Sequence, residues 1–197
     1  MTNVSEQNAF LELINSKLGH YIVASSVDKG DLALRINRES VLDFFNLLKL
    51  DSQLQFNLFL SVTVVDWMDA GEERFEVVYH LLSTQSKTRL RVKVWVPEQD
   101  CKIASVSKVW AGAGFMEREA WDMYGVVFEG HDDLRRILMY DEFVGYPLRK
   151  DYPVQAKQPR IQLRAPEVSN TALNMKRDNL VKITKKSHLE ENSRKVA

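Results

Sequence analysis

F-E-V-V-Y-H-L-L-S-T-Q-S-K-T-R-L-R-V-K-V-W-V, residues 75–96, decides the fold class. Phe75, Val77, Tyr79 and Leu81, and again Leu90, Val92, Val94 and Val96, place an apolar residue at every second position. Arg89, Arg91, Lys93 and Trp95 fall between the second set. Alternation at period two marks half-buried antiparallel strands. A turn at Thr84 to Lys87 sets Leu81 opposite Leu90, Tyr79 opposite Val92 and Val77 opposite Val94. The same register sets Glu76 diagonal to Lys93 on the outer face. Leu58 to Trp67, before M-D-A-G-E-E, supplies a third strand, which predicts a meander.

Upstream, the pattern predicts a helix over 5–18, with Ser5 at its N-cap and Gly19 as its stop. Tyr21 to Val27 and Leu32 to Ile36, joined by D-K-G-D, read as a hairpin. Arg38 to Leu50 returns to helical spacing, with Val41, Phe44, Phe45 and Leu48 on one side. Downstream, Ser105 to Ala111 reads as a helix ending at G-A-G. Met116 to Tyr124 reads as another, ended by Gly125 in the left-handed conformation. The fold class expected is α+β: a mostly antiparallel sheet, hairpin plus three-stranded meander, packed with helices.

Composition changes near residue 146, which divides the chain into an expected α+β domain over 1–146 and a tail over 147–197. Pro147, Pro153, Pro159 and Pro166 lie within 20 residues, and proline removes a donor and fixes φ. As polyproline II this stretch would span about 60 Å, against a radius of gyration near ~15 Å for the body. From Ala172 onward the pattern admits a short basic helix, then a polar, disordered end. The formal charge of zero conceals an asymmetry: from Pro147 onward 12 Lys and Arg face 5 Asp and Glu. The body is correspondingly acidic.

These numbers exclude several function classes. The one cysteine, Cys101, cannot close an internal disulfide or hold zinc or an iron–sulfur cluster alone. No signal peptide is legible, and the most apolar window, Phe56 to Met68, is too short and too polar for a membrane span of about 20 residues. G-A-G-F (Gly112 to Phe115) lacks the third glycine and the preceding strand of a dinucleotide loop. Arg89, Arg91, Lys93 and Trp95 offer one aromatic among basic residues, and the acidic body opposes a phosphate backbone, so no nucleic acid is expected. His20, His80 and His188 stand apart in sequence and read as ordinary surface or sheet histidines.

Glu117, Glu119 and Asp122 form the only dense carboxylate group in an apolar setting, with His131, Asp132 and Asp133 downstream. They could build a hard-metal site or an acid/base pair, in a free-standing binding module or small metal enzyme. The simpler reading has Arg118, Arg135 and Arg136 neutralise them, Arg118 reaching Asp122 at i,i+4, and hold the second helix to the loop after it.

E-R-E-A-W-D-M-Y-G-V-V-F-E-G-H-D-D-L-R-R-I-L (Glu117 to Leu138) and P-L-R-K-D-Y-P (Pro147 to Pro153) resemble the signatures of the 30-kDa-type (C) subunit of the proton-pumping NADH–quinone oxidoreductase, respiratory complex I. The chain departs from the family pattern at Asp132, where proline is usual, and at Tyr146, where histidine is frequent. The resemblance implies a peripheral-arm protein without catalytic residues, on the cytoplasmic side of a bacterial inner membrane and reaching the membrane only through the complex. It implies no cofactor here, with FMN and iron–sulfur clusters in partner subunits. The partners implied are the quinone-site (D) subunit and the cluster-bearing B and I subunits. Glu117, Arg118, Glu119, Asp122, His131, Arg135 and Arg136 would form a structural signature. Pro147, Leu148, Arg149, Lys150, Asp151, Tyr152 and Pro153 would bind a partner. The equivalent subunit of a related membrane-bound hydrogenase or other quinone-linked complex shares parts of the signature.

Overall fold

The structure is a computed structural model that describes residues 4–28, 31–69 and 73–160. Helix α1 (Val4–Leu18) passes through a short 3-10 turn into strand β1 (Ile22–Asp28), which pairs antiparallel with β2 (Asp31–Ile36). A second 3-10 turn leads into α2 (Val41–Leu50). Strands β3 (Leu58–Asp66), β4 (Phe75–Leu82) and β5 (Arg89–Val96) follow. Their meander joins the hairpin through a parallel β2–β5 pairing, giving one five-stranded sheet of order β1-β2-β5-β4-β3. Strands β6 (Lys102–Ala104) and β7 (Val127–Glu129) form a small parallel pair on either side of α3 (Ala113–Tyr124).

The meander register is the one the alternation predicts: Leu81 pairs with Leu90, Tyr79 with Val92 and Val77 with Val94. Glu76 and Lys93 sit diagonally and form an ion pair at 3.2 Å. That pair is not on a bare face, however. Glu76 is buried, and its second oxygen accepts from the Trp67 indole N–H at 3.2 Å. Trp67 and Trp95, whose rings lie 6.3 Å apart, supply cover that alternation alone does not reveal.

The inner face carries the core. Phe44, Phe45 and Leu48 of α2 and Ile14 of α1 pack on Leu32, Leu34, Val92, Val94 and Tyr79. The Phe45 ring meets Tyr79 edge-on at 4.9 Å and Trp110 at 5.6 Å. Each such pair adds about 0.5–1.5 kcal/mol beyond the area it buries.

Three expectations need correction. Ser5 lies inside α1, which already begins at Val4. Residues 105–111 form turns rather than a helix, because their N–H groups are drawn elsewhere. The Ser105 N–H donates to Glu129 O and the Val106 N–H to the Glu117 carboxylate, leaving a single turn closed by Val109 and Trp110 onto Val106 O. G-A-G therefore opens a helix instead of ending one, and α3 starts at Ala113, three residues before the expected Met116. The compact unit that holds the sheet also includes residues 147–159, the first part of the expected 147–197 tail. The expected tail from residue 161 onward lies outside the described residues.

Candidate functional site

The carboxylates of α3 face different ways and take different partners. Glu117 points inward and is fully buried. It accepts from the Ser105 hydroxyl at 2.6 Å and from the Val106 N–H at 2.7 Å, tying the segment after β6 to the helix. Burial pushes its carboxyl above the ordinary range, against the pull of those two hydrogen bonds and of His131. The hydroxyl of the buried Tyr79 is itself raised by burial and by the Glu117 charge.

His131 reaches the same place from the following loop, with Nε2 at 4.0 Å from Glu117 Oε2 and at 3.0 Å from Gly114 O. Its Nδ1 accepts from the Asp133 N–H at 3.0 Å, which assigns the Nε2-protonated tautomer. A Cβ at Gly114 would lie 3.4 Å from His131 Nε2, an ordinary contact, so the ring rests directly on the first turn of the helix.

Asp122 is also fully buried but organises the loop instead. Its Oδ2 accepts from the backbone N–H groups of Ile137, Leu138 and Met139 at 3.1, 2.8 and 2.8 Å, and its Oδ1 pairs with Arg136 at 2.6 Å. Burial alone would raise this carboxyl. The three N–H groups and the guanidinium outweigh it and hold the group below the usual range. Arg136 in turn donates to the carbonyls of Phe143 and Gly145. Charge closure by Arg136 follows the sequence expectation; Arg118 differs. It donates to the carbonyls of Arg135 and Arg136 rather than to Asp122. Arg135 pairs with Asp133 at the surface, 2.9 Å away. Glu119 is exposed and has no ion-pair partner among the described residues.

Glu117, Asp122 and Glu119 thus occupy an interior, a loop-facing and a solvent-facing position of one helix. Among the described residues no three His, Cys, Asp or Glu side chains converge as a metal site.

P-L-R-K-D-Y-P lies against the same body. The Leu148 N–H donates to Met123 O and the Arg149 Nε–H to Tyr124 O. The Arg149 guanidinium stacks 4.9 Å from the Phe75 ring and 4.6 Å from that of Tyr146. The Lys150 N–H binds Asp66 Oδ2 at 2.8 Å, and Asp151 accepts from Arg74 at 2.6 Å. Tyr152 stacks on Phe143. Pro147 is half-buried, and only Leu148 and Pro153 of the apolar positions are exposed. Gly125 makes this possible: its φ is +80°, and a Cβ there would sit 2.5 Å from the Tyr146 ring and 2.6 Å from Arg149.

Sequence reading missed Asp66 and Arg74. Arg74 pairs at once with Asp66, Glu98 and Asp151. Burial would raise the Asp66 carboxyl, but Arg74 and the N–H groups of Lys150 and Met68 hold it low. A signal existed: Asp66 continues the inward parity of Val62 and Val64 and pairs across the strands with the inward-facing Phe75. A carboxylate at a core position needs a partner.

The loop held by Asp122 and Arg136 presents apolar side chains outward. Leu138 is 58% exposed and Val144 66%, and Ile137 and Tyr140 of the same loop are exposed, as are Leu148 and Val154 further along the chain.

Comparison with known proteins identifies the family. Residues 34–158 match the family described as respiratory-chain NADH dehydrogenase, 30 Kd subunit. The C subunit of the NADH-quinone oxidoreductase of Geobacter metallireducens is 45% identical over 152 residues, covering 77% of this chain and 93% of that protein. Its counterpart of the same name in Roseiflexus sp. is 39% identical over 75% of this chain and 84% of its own length. Among solved structures, a trypsin-resistant fragment of Nqo5 superposes with a TM-score of 0.56 at 32% identity, covering 65% of this chain and 98% of the fragment. A chain of the membrane-bound sulfane sulfur reductase, an archaeal respiratory membrane complex, superposes with a TM-score of 0.66 at 27% identity, covering 76% of this chain and 87% of that one. Matched through the β3–β5 meander, α3 and the loop that Asp122 holds, the chain belongs to the family of the 30-kDa subunit of the respiratory-chain NADH dehydrogenase.

Proposed function

We propose that the chain is a non-catalytic subunit in the peripheral arm of a proton-translocating NADH–quinone oxidoreductase, needed for the assembly of that complex. The observation that carries this reading is the placement of the signature. Asp122 is saturated by four donors and Glu117 by two. What the signature leaves at the surface is a set of apolar side chains from Ile137 to Val154 on a fixed loop. Such a patch, backed by a rigid hydrogen-bonded frame, is the form of a protein contact. The partner expected is the quinone-site (D) subunit, with the cluster-bearing B and I subunits beside it. FMN and the iron–sulfur clusters reside in partners. No helix among the described residues is long and apolar enough to cross a membrane, and the chain would meet the membrane through those partners, on its cytoplasmic side.

Affinity purification of the tagged full chain tests this. The chain should bring the other peripheral-arm subunits with it. Glu119→Gln, at an exposed position of α3, and Leu138→Asp, in the apolar patch, should each lower the amount of assembled complex several-fold while turnover per assembled particle stays near normal. Full assembly with a hundredfold loss of turnover, about 2.7 kcal/mol in barrier height, would assign α3 to chemistry instead.

The likeness to a chain of the sulfane sulfur reductase favours a second reading, the equivalent subunit of a related membrane-bound respiratory complex. The identity of the co-purifying subunits separates the two.

A further inference from the structure

On the outer face of the sheet a row of polar side chains crosses four strands. Ser61 of β3, His80 of β4 and Arg91 of β5 are direct cross-strand neighbours, and Asp31 of β2 lies beyond Arg91. Ser61 Oγ is 3.1 Å from His80 Nδ1, and the Arg91 Nε–H donates to His80 Nε2 at 3.1 Å. Arg91 Nη2 reaches Asp31 Oδ2 at 3.5 Å. Ser61 owes its place in the row to a register shift between Phe59 and Ser61, which adds Leu60 to β3. Without that extra residue Ser61 would share the inward parity of Phe59, whose ring meets Tyr79 and Trp110.

The row fixes the chemistry of the imidazole. A guanidinium donates and never accepts, so His80 Nε2 is the bare nitrogen and Nδ1 carries the proton toward the Ser61 hydroxyl. The neutral ring therefore has both nitrogens committed. A second proton can enter only at Nε2, where it meets the Arg91 N–H and sets two cations side by side. Burial first, and the Arg91 charge second, lower the histidine below its ordinary value, while the Asp31 carboxylate opposes them. Arg91 and Arg89 of β5, Asp31 of β2 and the Ser61 hydroxyl of β3 share with His80 a depression of about 310 Å³. The Arg91 and Asp31 side chains are 32% and 52% exposed, so protons reach the ring from solvent.

We infer that His80 is a proton-operated latch: neutral, it ties β4 to β5 through Arg91, and protonated, it surrenders Arg91 wholly to Asp31. One proton thus moves the brace of the outer face from within the meander to the seam between meander and hairpin. That seam is the parallel pairing of Leu32–Arg35 with Leu90–Lys93. The sign of the effect on stability follows from the lowered histidine. The folded chain resists a proton that the unfolded chain accepts, so stability from this group is full above 6.5 and is lost as pH falls from there through the folded value. The device belongs to the chain itself and stands whether or not the subunit reading holds.

Nitrogen-15 NMR of the full-length protein tests it between pH 7.5 and 4.5. At the upper end His80 should be the Nδ1-protonated tautomer. Its titration should lie below that of a free histidine, and the Arg91 Nε–H signal should shift with the same midpoint. Two variants at exposed side chains should move that midpoint in opposite directions. Arg91→Met, which removes the neighbouring cation, should raise it by roughly half a unit or more. Asp31→Asn, which removes the carboxylate that receives Arg91, should lower it. An Nε2-protonated ring at neutral pH would overturn the inference, as would an Arg91 signal indifferent to the histidine. A midpoint unmoved by Arg91→Met would overturn the latch, and one unmoved by Asp31→Asn would overturn the transfer to the hairpin.

Discussion

Asp122 and Arg136 meet at 2.6 Å across the turn that follows α3, and the same carboxylate gathers the three N–H groups after Arg136 into one fan. A single residue of the helix thereby fixes the conformation of a loop that has little core of its own. Asp122→Ala should cost about 3–5 kcal/mol, because it leaves a guanidinium and three amides without their acceptor. Urea unfolding of the purified chain measures this, and proteolysis within 136–145 should accelerate in parallel. The pH dependence has a definite sign. A carboxyl lowered in the folded state contributes stability that is complete above its unfolded value, about 3.9, and is lost as pH falls through the lower folded value.

Glu117 titrates with the opposite sign. Its carboxyl is raised by burial, so the folded chain binds a proton more readily than the unfolded one does. Stability from this group is therefore greatest below its ordinary value of 4.5 and declines as pH rises toward the folded value. Glu117→Gln can keep the contacts with Ser105 and the Val106 N–H while removing the charge. Its stability relative to the parent should grow with pH across that window and then level off. Unfolding curves at half-unit steps from pH 4.5 upward would show this, and a constant difference would refute it.

Gly125→Ala combines two costs. The left-handed conformation alone costs about 1–2 kcal/mol for a residue with a Cβ. The added carbon would also lie 2.5 Å from the Tyr146 ring, so the ring and Arg149 must shift. The melting temperature should fall, and trypsin should cut at Arg149 faster than in the parent. Gly130, also at positive φ, has open space around it, so Gly130→Ala should show the conformational cost without faster cutting at Arg149.

Removing residues 160–197 should leave a folded protein, since one compact unit ends at Pro159. Ending the chain at Tyr146 should not be equivalent. It removes the Lys150 N–H from Asp66, Asp151 from Arg74 and Arg149 from the Phe75 ring. A drop of several degrees in melting temperature between the two truncations, read by circular dichroism, is the expected outcome.

The parts of this fold that sequence reveals are those governed by local periodicity. Phe75 to Val96 yields both strands and their register because the side-chain period of two admits one pairing that buries every apolar position. The errors arise where a distant group takes a local backbone donor. Val106 has the sequence of a helix start, yet its N–H goes to Glu117, eleven residues away. Lys150 sits among prolines and reads as part of an extended tail, yet its N–H belongs to Asp66. In the candidate site the same rule holds. Charge closure within one helix and its adjoining loop puts Arg136 among the partners of the carboxylates, but the helical spacing points Arg118 at Asp122, where Arg136 binds instead. The inward turn of Arg149 and Asp151 depends on Phe75 and Arg74, which no local pattern connects to them.

Asp66 and the Lys150 amide that binds it are 84 residues apart in sequence. At a synthesis rate of about 5–20 residues per second, roughly 4–17 seconds separate their appearance on the ribosome. Over that interval the nascent meander can close while the end where β3 gives way to β4 still lacks Arg149, Lys150 and Asp151. The closing segment arrives late, and its ties to the meander span most of the domain. Such long loops fold slowly relative to local hairpins. The nascent chain would therefore pass through a stage in which the sheet is formed and its final strap is still missing, a natural point for an assembly chaperone or a neighbouring protein to engage it.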